Sequence, residues 1–389
     1  TVPVSLTWEK STTYDVGLDL DFFNNRLSVS GDYYRRYTTD MYTASVALPA
    51  VYGTGSPKGN NAEMKTDGWE LSLSWRDSFK LGGKPFDYSI KAMVWDSKSV
   101  ITKYVNDTGS LGTVKGFIEN GGSPSSYYVG MTVGEIWGYT VAGLFRDQAD
   151  IDSSAIHDFV QASDKVTRPG QVKIADLDGN GFIDPGNFAV DDHGDLRIIG
   201  NQSPRYRYGV NLSARWNGIG LSVFLQGVGA RDWYPGSDAG MFWGKYGRPF
   251  FALIPSIHNY TDDMYSAERN NWDTAYWPRM TTYQSNGTKN WTRLLEIPNT
   301  RYIQSAAYLR VKNIQLDYSF PKHICSAIRL QGLKIYVNAE NLFTFTPLHK
   351  YAPNFDPEGL SYDSDFASAA DGYTYPILKS VTVGVNITF

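Results

Sequence analysis

The chain has 389 residues, 42% apolar, 15% aromatic and 20% charged, with a formal net charge of −4 and one cysteine, Cys325. A single thiol excludes an intramolecular disulfide framework, and a weak negative balance without a basic run argues against nucleic acid as a partner. No apolar run approaches the roughly 18 residues of a transmembrane helix, and the mean hydropathy is that of a soluble protein, −0.35. That average is blind to alternation, because a β-barrel places its apolar band on every second residue.

The chain opens on TVPVSLTWEK, without a charged start or an apolar h-region, which fits a mature form or a fragment. Alternation begins at once. Tyr14, Val16, Leu18, Leu20 and Phe22 oppose Asp15, Gly17, Asp19 and Asp21. Leu27, Val29, Gly31 and Tyr33 follow a short turn at 23–25. Trp69, Leu71, Leu73 and Trp75 alternate with Glu70, Ser72 and Ser74, and Phe86, Tyr88, Ile90, Ala92 and Val94 form another face. Tyr206, Tyr208, Val210, Leu212, Ala214 and Trp216 oppose Arg205, Arg207, Asn211, Ser213 and Arg215. Beyond the Asn217-Gly218 hairpin signal come Ile219, Leu221, Val223 and Leu225. The stretch 309–320 changes phase near Asn313, the mark of a bulge, and Leu333, Ile335, Val337 and Ala339 follow. Last, Val381, Val383, Val385, Ile387 and Phe389 face away from Thr382, Gly384, Asn386 and Thr388. About ten alternating residues suit a strand with lipid on one side and a polar lumen on the other.

These are nine spanning strands, and their connections sort into two classes. Short links fall at 23–25, 78–85, 217–218 and 321–331; long ones at 44–62, 105–203, 232–304 and 346–375. The strand-like segment 136–145 breaks that parity if it spans, so it is placed inside the loop 105–203. Short periplasmic turns and long extracellular loops are the asymmetry of outer-membrane barrels. Nine is odd, however, and an open sheet leaves two unpaired edges in lipid. The expectation is an all-β transmembrane antiparallel barrel of which 1–389 is the C-terminal part, with Phe389 at the periplasmic rim.

Several stretches carry a family likeness: QVKIADLDGNGFID and DLRIIGN within 171–200, SPRYRYGVNLSARWNGIGLSVFLQG, YLRVKNIQLDYSFP at 308–321 and IYVNAENLFTF at 335–345. With WEKSTTYDVGLDLDFFNNRLSVSGDYYRR and KTDGWELSLSW upstream, the chain resembles the C-terminal portion of SusC/RagA-type TonB-dependent transporters. The resemblance implies a 22-stranded barrel holding an N-terminal plug that contacts TonB, capped by a SusD-like surface lipoprotein. It also implies energised uptake of oligosaccharides or peptides across the outer membrane. No plug is present in this sequence, so the plug, the TonB complex and the remaining strands are expected partners, along with outer-membrane lipid.

Asp176, Asp178, Asn180 and Asp184, with Gly181 at the sharp turn, match the first nine positions of a calcium loop. The twelfth position is Asn187 instead of a bidentate acid, where the family usually has Asp. Asp191, Asp192 or Asp195 would have to fold back to complete a Ca2+ shell; the plainer reading is an Asx-turn loop without metal. In the loop 232–304, Trp233, Trp243, Trp272 and Trp277 stand near Asp273, a mixture suited to sugar rings or peptide backbones. The alternative is that these rings form the loop's own small core. Arg205, Arg207 and Arg215 are expected to face the lumen. His residues are scattered without metal spacing, and no nucleophile elbow or phosphate loop occurs, so no enzyme is expected. The competing reading is a soluble or surface-attached β-rich glycan-binding protein.

Overall fold

The computed structural model describes residues 6–44, 58–105, 127–156, 167–235, 242, 263–279, 298–360 and 377–389. In chain order the strands are β1 (Lys10–Phe22), β2 (Leu27–Ala44), β3 (Lys58–Leu81), β4 (Lys84–Lys103), β5 (Glu135–Tyr139), β6 (Val141–Leu144) and β7 (Val172–Ile174). Then come β8 (Leu196–Asn201), β9 (Arg205–Trp216), β10 (Ile219–Ala230), β11 (Asp232–Trp233), β12 (Gln304–Ser305), β13 (Tyr308–Ser319), β14 (Gly332–Phe345) and β15 (Ser380–Thr388). Nine of them make one antiparallel sheet in the order β1-β2-β3-β4-β9-β10-β13-β14-β15, so each spanning strand pairs with the next one in sequence. The sheet does not close on itself: β1 and β15 are its edges.

Tight turns fix the register at the short-loop end. Gly82 and Gly83 have φ of 59° and 78°, and Asn217 and Gly218 have 48° and 87°. Positive φ at both central residues is the type I′ requirement, which Asn-Gly and Gly-Gly meet at little steric cost. The β3–β4 hairpin runs further than the alternation indicated, with Phe79 paired to Phe86 and Leu81 to Lys84. Its tip is the two residues Gly82-Gly83, and Phe79 and Leu81 continue the alternation of Trp69, Leu71, Leu73 and Trp75 up to it. The phase change near Asn313 is a register shift between Val311 and Asn313 against β14, matched by one between Phe224 and Leu225 on the β10 side.

The register also sorts the faces. Ile90, Leu212, Val223 and Ile314 lie in one cross-strand row, and Ser89, Ser213, Ser222 and Gln315 in a neighbouring one. The apolar rows are open: Val383 is 73% exposed and Phe389 83%, with Leu18, Leu73, Leu221, Leu316 and Val337 also exposed. An apolar surface of that extent is the outer wall of a barrel in lipid. Aromatic rings edge it at the turn end, where Phe79 lies 5.0 Å from Phe86 and Tyr318 4.9 Å from Phe320.

The buried core lies elsewhere. Trp137, Tyr139, Leu144, Val172, Ile183, Leu196, Trp233, Phe242, Trp277, Tyr302, Leu348 and Phe355 form one cluster, drawn from the three long insertions at the other end of the strands. β5 pairs β8, β6 pairs β7 and β11 pairs β12 in small separate sheets. Backbone bonds stitch distant insertions together: Tyr139 N–H to the Pro298 carbonyl at 2.9 Å, Thr300 N–H to the Tyr139 carbonyl at 3.0 Å. The outer loops are therefore a cap with its own core.

Candidate functional site

The inner wall is polar, and some of its charges are paired. At the turn end Lys334 meets Asp317 at 3.2 Å. At the cap end the wall holds the 347–360 segment in place. Arg310 Nη2 lies 2.7 Å from Asp356, Arg310 Nη1 3.1 Å from Glu358, and Lys312 Nζ 3.0 Å from Glu358. Arg310 and Lys312 reach the same segment because residues two apart on a strand share a face, and the register shift follows between Val311 and Asn313.

Arg205 departs from the luminal placement that alternation suggests. Tyr206 takes φ 52°, which breaks the period, and Arg205 Nε donates to Asp96 Oδ1 at 2.6 Å. Asp96 pairs with Trp69, so it belongs to the apolar-face register and is buried there. Arg207 and Arg215 keep the inward face: Arg207 pairs with Trp95, and Arg215 with Asp87.

The cap places the aromatic residues singled out in the sequence unequally. Trp233 and Trp277 are buried, at 2% and 1% exposure, and serve as its packing centre. Trp277 stacks on Tyr302 at 5.6 Å and meets Phe242 at 5.2 Å, while Trp233 lies 4.9 Å from Phe355. Tyr276 and Tyr351 stack at 3.6 Å with planes 4° apart. Trp272 is partly buried against this core and Asp273 beside it is exposed; Trp243 lies outside the described residues. Burial raises Tyr302 far above the usual phenol range and raises Tyr276 also.

The acidic loop folds around its own backbone donors. Asp176 accepts N–H groups of Gly179 and Gly181 at 2.7 and 2.9 Å, Asp178 that of Asn180 at 3.0 Å, and Asn180 that of Phe182 at 2.7 Å. Asp184 accepts from Gly186 at 2.7 Å. Of the three acids downstream, Asp195 is the one that returns: it accepts from Leu177 at 2.6 Å and from Asp184 at 3.0 Å. Asp192 is instead taken up by Asn187. Oxygen atoms of Asp176, Asp178 and Asp195 lie within 4.8 Å of one another, a set of hard donors of the kind calcium takes. Burial holds Asp195 above the ordinary carboxylate range, and Asp178 and Asp176 push it the same way. Asp176 is held below that range, chiefly by the Gly181 N–H.

Sequence reasoning passed over Arg231, Arg310, Asp356 and Glu358. A signal existed for Arg310, which alternates with Leu309 and Val311 on a wall strand; the 346–375 loop offered no periodicity from which to rank Asp356 or Glu358.

A wall of nine strands, apolar outside and polar within, with short turns at one end and a folded cap at the other, is a sector of an outer-membrane β-barrel. The chain belongs to the family described as TonB dependent receptor-like, beta-barrel, which residues 2–342 match. TonB-dependent receptor P3 of Formosa agariphila is 26% identical over 99% of this chain and 34% of its own length. TonB-dependent receptor SusC of Bacteroides thetaiotaomicron is 24% identical over 99% of this chain and 32% of its own length. The structure of the RagAB peptide transporter aligns with TM-score 0.64 and 20% identity, covering 99% of this chain and 36% of that one, a likeness of fold. The chain thus spans about a third of the length of the curated relatives it matches. The family is one of transporters rather than enzymes, located in the outer membrane.

Proposed function

We propose that the chain is the C-terminal sector of the channel subunit of a TonB-dependent importer, carrying oligosaccharides or peptides inward through the lumen it partly encloses. The observation that carries this reading is the two-faced sheet: exposed apolar rows outside, and inside a polar wall that leads from the cap to the periplasmic turns. The preceding residues would supply the remaining strands and the plug through which TonB acts, and a SusD-like lipoprotein would cover the cap. Asp273, exposed on the cap, and Trp272, partly buried beside it, are the candidate first contacts for solute; Trp233 and Trp277 support them from the core. Ca2+ held by Asp176, Asp178 and Asp195, with Asn180 and Asp184 beside them, would stiffen the acidic loop and take no part in any reaction. The exposed apolar rows argue against a soluble glycan-binding protein. Uptake of labelled oligosaccharides and peptides, compared between cells with and without the intact gene, tests the proposal. The expected result is uptake that depends on the gene and stops when an uncoupler collapses the proton gradient; uptake indifferent to the uncoupler would count decisively against it.

A further inference from the structure

Where the inner wall meets the cap there is a cavity of about 370 Å³ lined by Trp95, Arg207, Gln226, Arg231, Tyr308 and Glu358, among others. Its floor is one cross-strand row: Trp95 pairs with Arg207, Arg207 with Val228, and Val228 with Tyr308. That row shares the luminal face with Gln226, which pairs with Gly209 and Arg310. Arg231, just past the end of β10, closes the upper side. Its guanidinium donates to the carbonyls of Gln202 at 3.1 Å, Pro357 at 3.2 Å and Leu360.

The charges do not balance. Glu358 is already engaged by Arg310 and Lys312, and Asp356 by Arg310. Asp96 is held by Arg205, and Asp232 accepts from the Asn201 N–H. Among the described residues Arg207 has no hydrogen bond or ion pair, and Arg231 has carbonyl partners but no carboxylate. Burial lowers the pKa of Arg231; Tyr308 opposes that shift, and Arg207 adds to it more weakly as a like charge. The one carboxylate lining the cavity among the described residues, Glu358, is shared with Arg310 and Lys312, so the guanidinium groups of Arg207 and Arg231 leave an excess of positive charge that favours an arriving anion. Three of the five N–H groups of Arg231 are used, which leaves others for a ligand. A planar fork matches a carboxylate in two-point fashion. Trp95, 36% exposed, and Tyr308 supply apolar faces beside it, and Gln226 an amide.

Resting on the importer reading, we propose that this cavity is an acid-selective station on the solute path: it receives a carboxylate of the transported molecule between Arg207 and Arg231. The carboxylate would come from a peptide C-terminus or from a uronic-acid sugar.

The test uses the whole transporter, extracted from the outer membrane in detergent, and four probes. These are a tetrapeptide pool with free C-termini, the same pool amidated, oligogalacturonate, and its methyl ester. Calorimetric binding should favour at least one acid form over its neutral partner by tenfold or more, and which pair responds identifies the source. In Arg207→Gln that preference should collapse toward unity, with part of it kept in Arg207→Lys. Arg207 is exposed, so both variants should reach the outer membrane at wild-type level, which heat-modifiable mobility of the extracted transporter checks. Equal retention of acid and neutral probes by the wild type overturns the proposal; so does an acid preference that survives Arg207→Gln. Equal retention is also the result if an acidic side chain from the preceding part of the transporter fills the cavity. Uncoupler-sensitive uptake measured in parallel keeps the two readings apart. If it persists while the acid preference is missing, only the cavity proposal fails; if it is absent, the importer reading fails regardless of the binding ratio.

Discussion

Asp195 ties the acidic loop to the rest of the cap, and its ionisation has a sign that can be worked out. Its folded pKa lies above the ordinary carboxylate value of 3.8, because burial opposes the charge and Asp178 and Asp176 add to the cost. Above that value the unfolded chain has released a proton the native loop still holds, so stability falls as pH rises and levels off past the folded value. Asp176 acts in the opposite sense: its folded pKa is depressed, so its contribution is present above the ordinary value and lost on acidification through the folded one. In a chelator, amide exchange at Leu177 and Asp184, corrected for intrinsic rate, should therefore speed up as pH rises above the ordinary carboxylate value and level off once the raised folded value is passed. Calcium should reverse that loss by binding the ionised form, and a concentration-dependent rise in melting temperature should accompany it. Asp195→Asn keeps the shape but puts an amide N–H against one of the two backbone donors. It should cost about 1–3 kcal/mol and abolish the calcium response. A calcium response that persists in Asp195→Asn would remove Asp195 from the site.

At the scale of elements, the two faces of a strand should answer differently to the same charge. Val383 and Thr382 are neighbours on β15, one in the apolar row with Val337 and one in the polar row with Asn338. Val383→Arg puts a guanidinium in lipid and should cost about 2–4 kcal/mol, read as loss of folded protein in outer-membrane fractions; Thr382→Arg should assemble nearly as well as the wild type. The clamp between β13 and the 347–360 segment offers a second case. Arg310 is 3% exposed and serves both Asp356 and Glu358. Arg310→Met should leave those carboxylates under-compensated, costing about 3–5 kcal/mol. Limited proteolysis would read the effect as new cleavage around 347–360, with the β13–β14 hairpin intact. These elements differ in how far they could be read from sequence. The strands were legible because alternation is local, and the Asn217-Gly218 turn because φ > 0 restricts the residue type; the Gly82-Gly83 tip was placed only within a looser link at 78–85. The clamp was not legible: the phase change near Asn313 marked the bulge, but nothing periodic in 347–360 indicated that this segment brings Asp356 to Arg310. Nor was the station of Trp233 and Trp277. A Trp in a loop reads equally as ligand platform or as core, and what decides is contact with Phe355 and Tyr302, far along the chain.

For the whole molecule, the cap and the wall obey different solvents, and that separation governs what the chain does alone. The cap buries its rings against one another and bonds its own backbone across insertions, as between Arg279 N–H and the Gly170 carbonyl at 2.6 Å. The wall buries little, leaves its apolar rows open, and ends in two edge strands, β1 and β15. Each edge carries a ladder of backbone N–H and C=O groups, and hydrocarbon offers no partner for them. In water the same edges and apolar rows are a template for association with further copies. Expressed by itself in plain buffer, the chain should therefore aggregate. In detergent it should keep a protected cap but give no heat-modifiable, closed-barrel band on electrophoresis. Joined to the residues that precede it in the transporter, it should give that band, because strands on both sides then saturate β1 and β15. The decisive comparison is hydrogen exchange of the two edge strands in the isolated and the joined form. Protection should rise at 10–22 and 380–388 on joining and change little at 205–230. Edges already protected in a monodisperse isolated chain would mean that the sheet closes by itself, and the sector reading would fall.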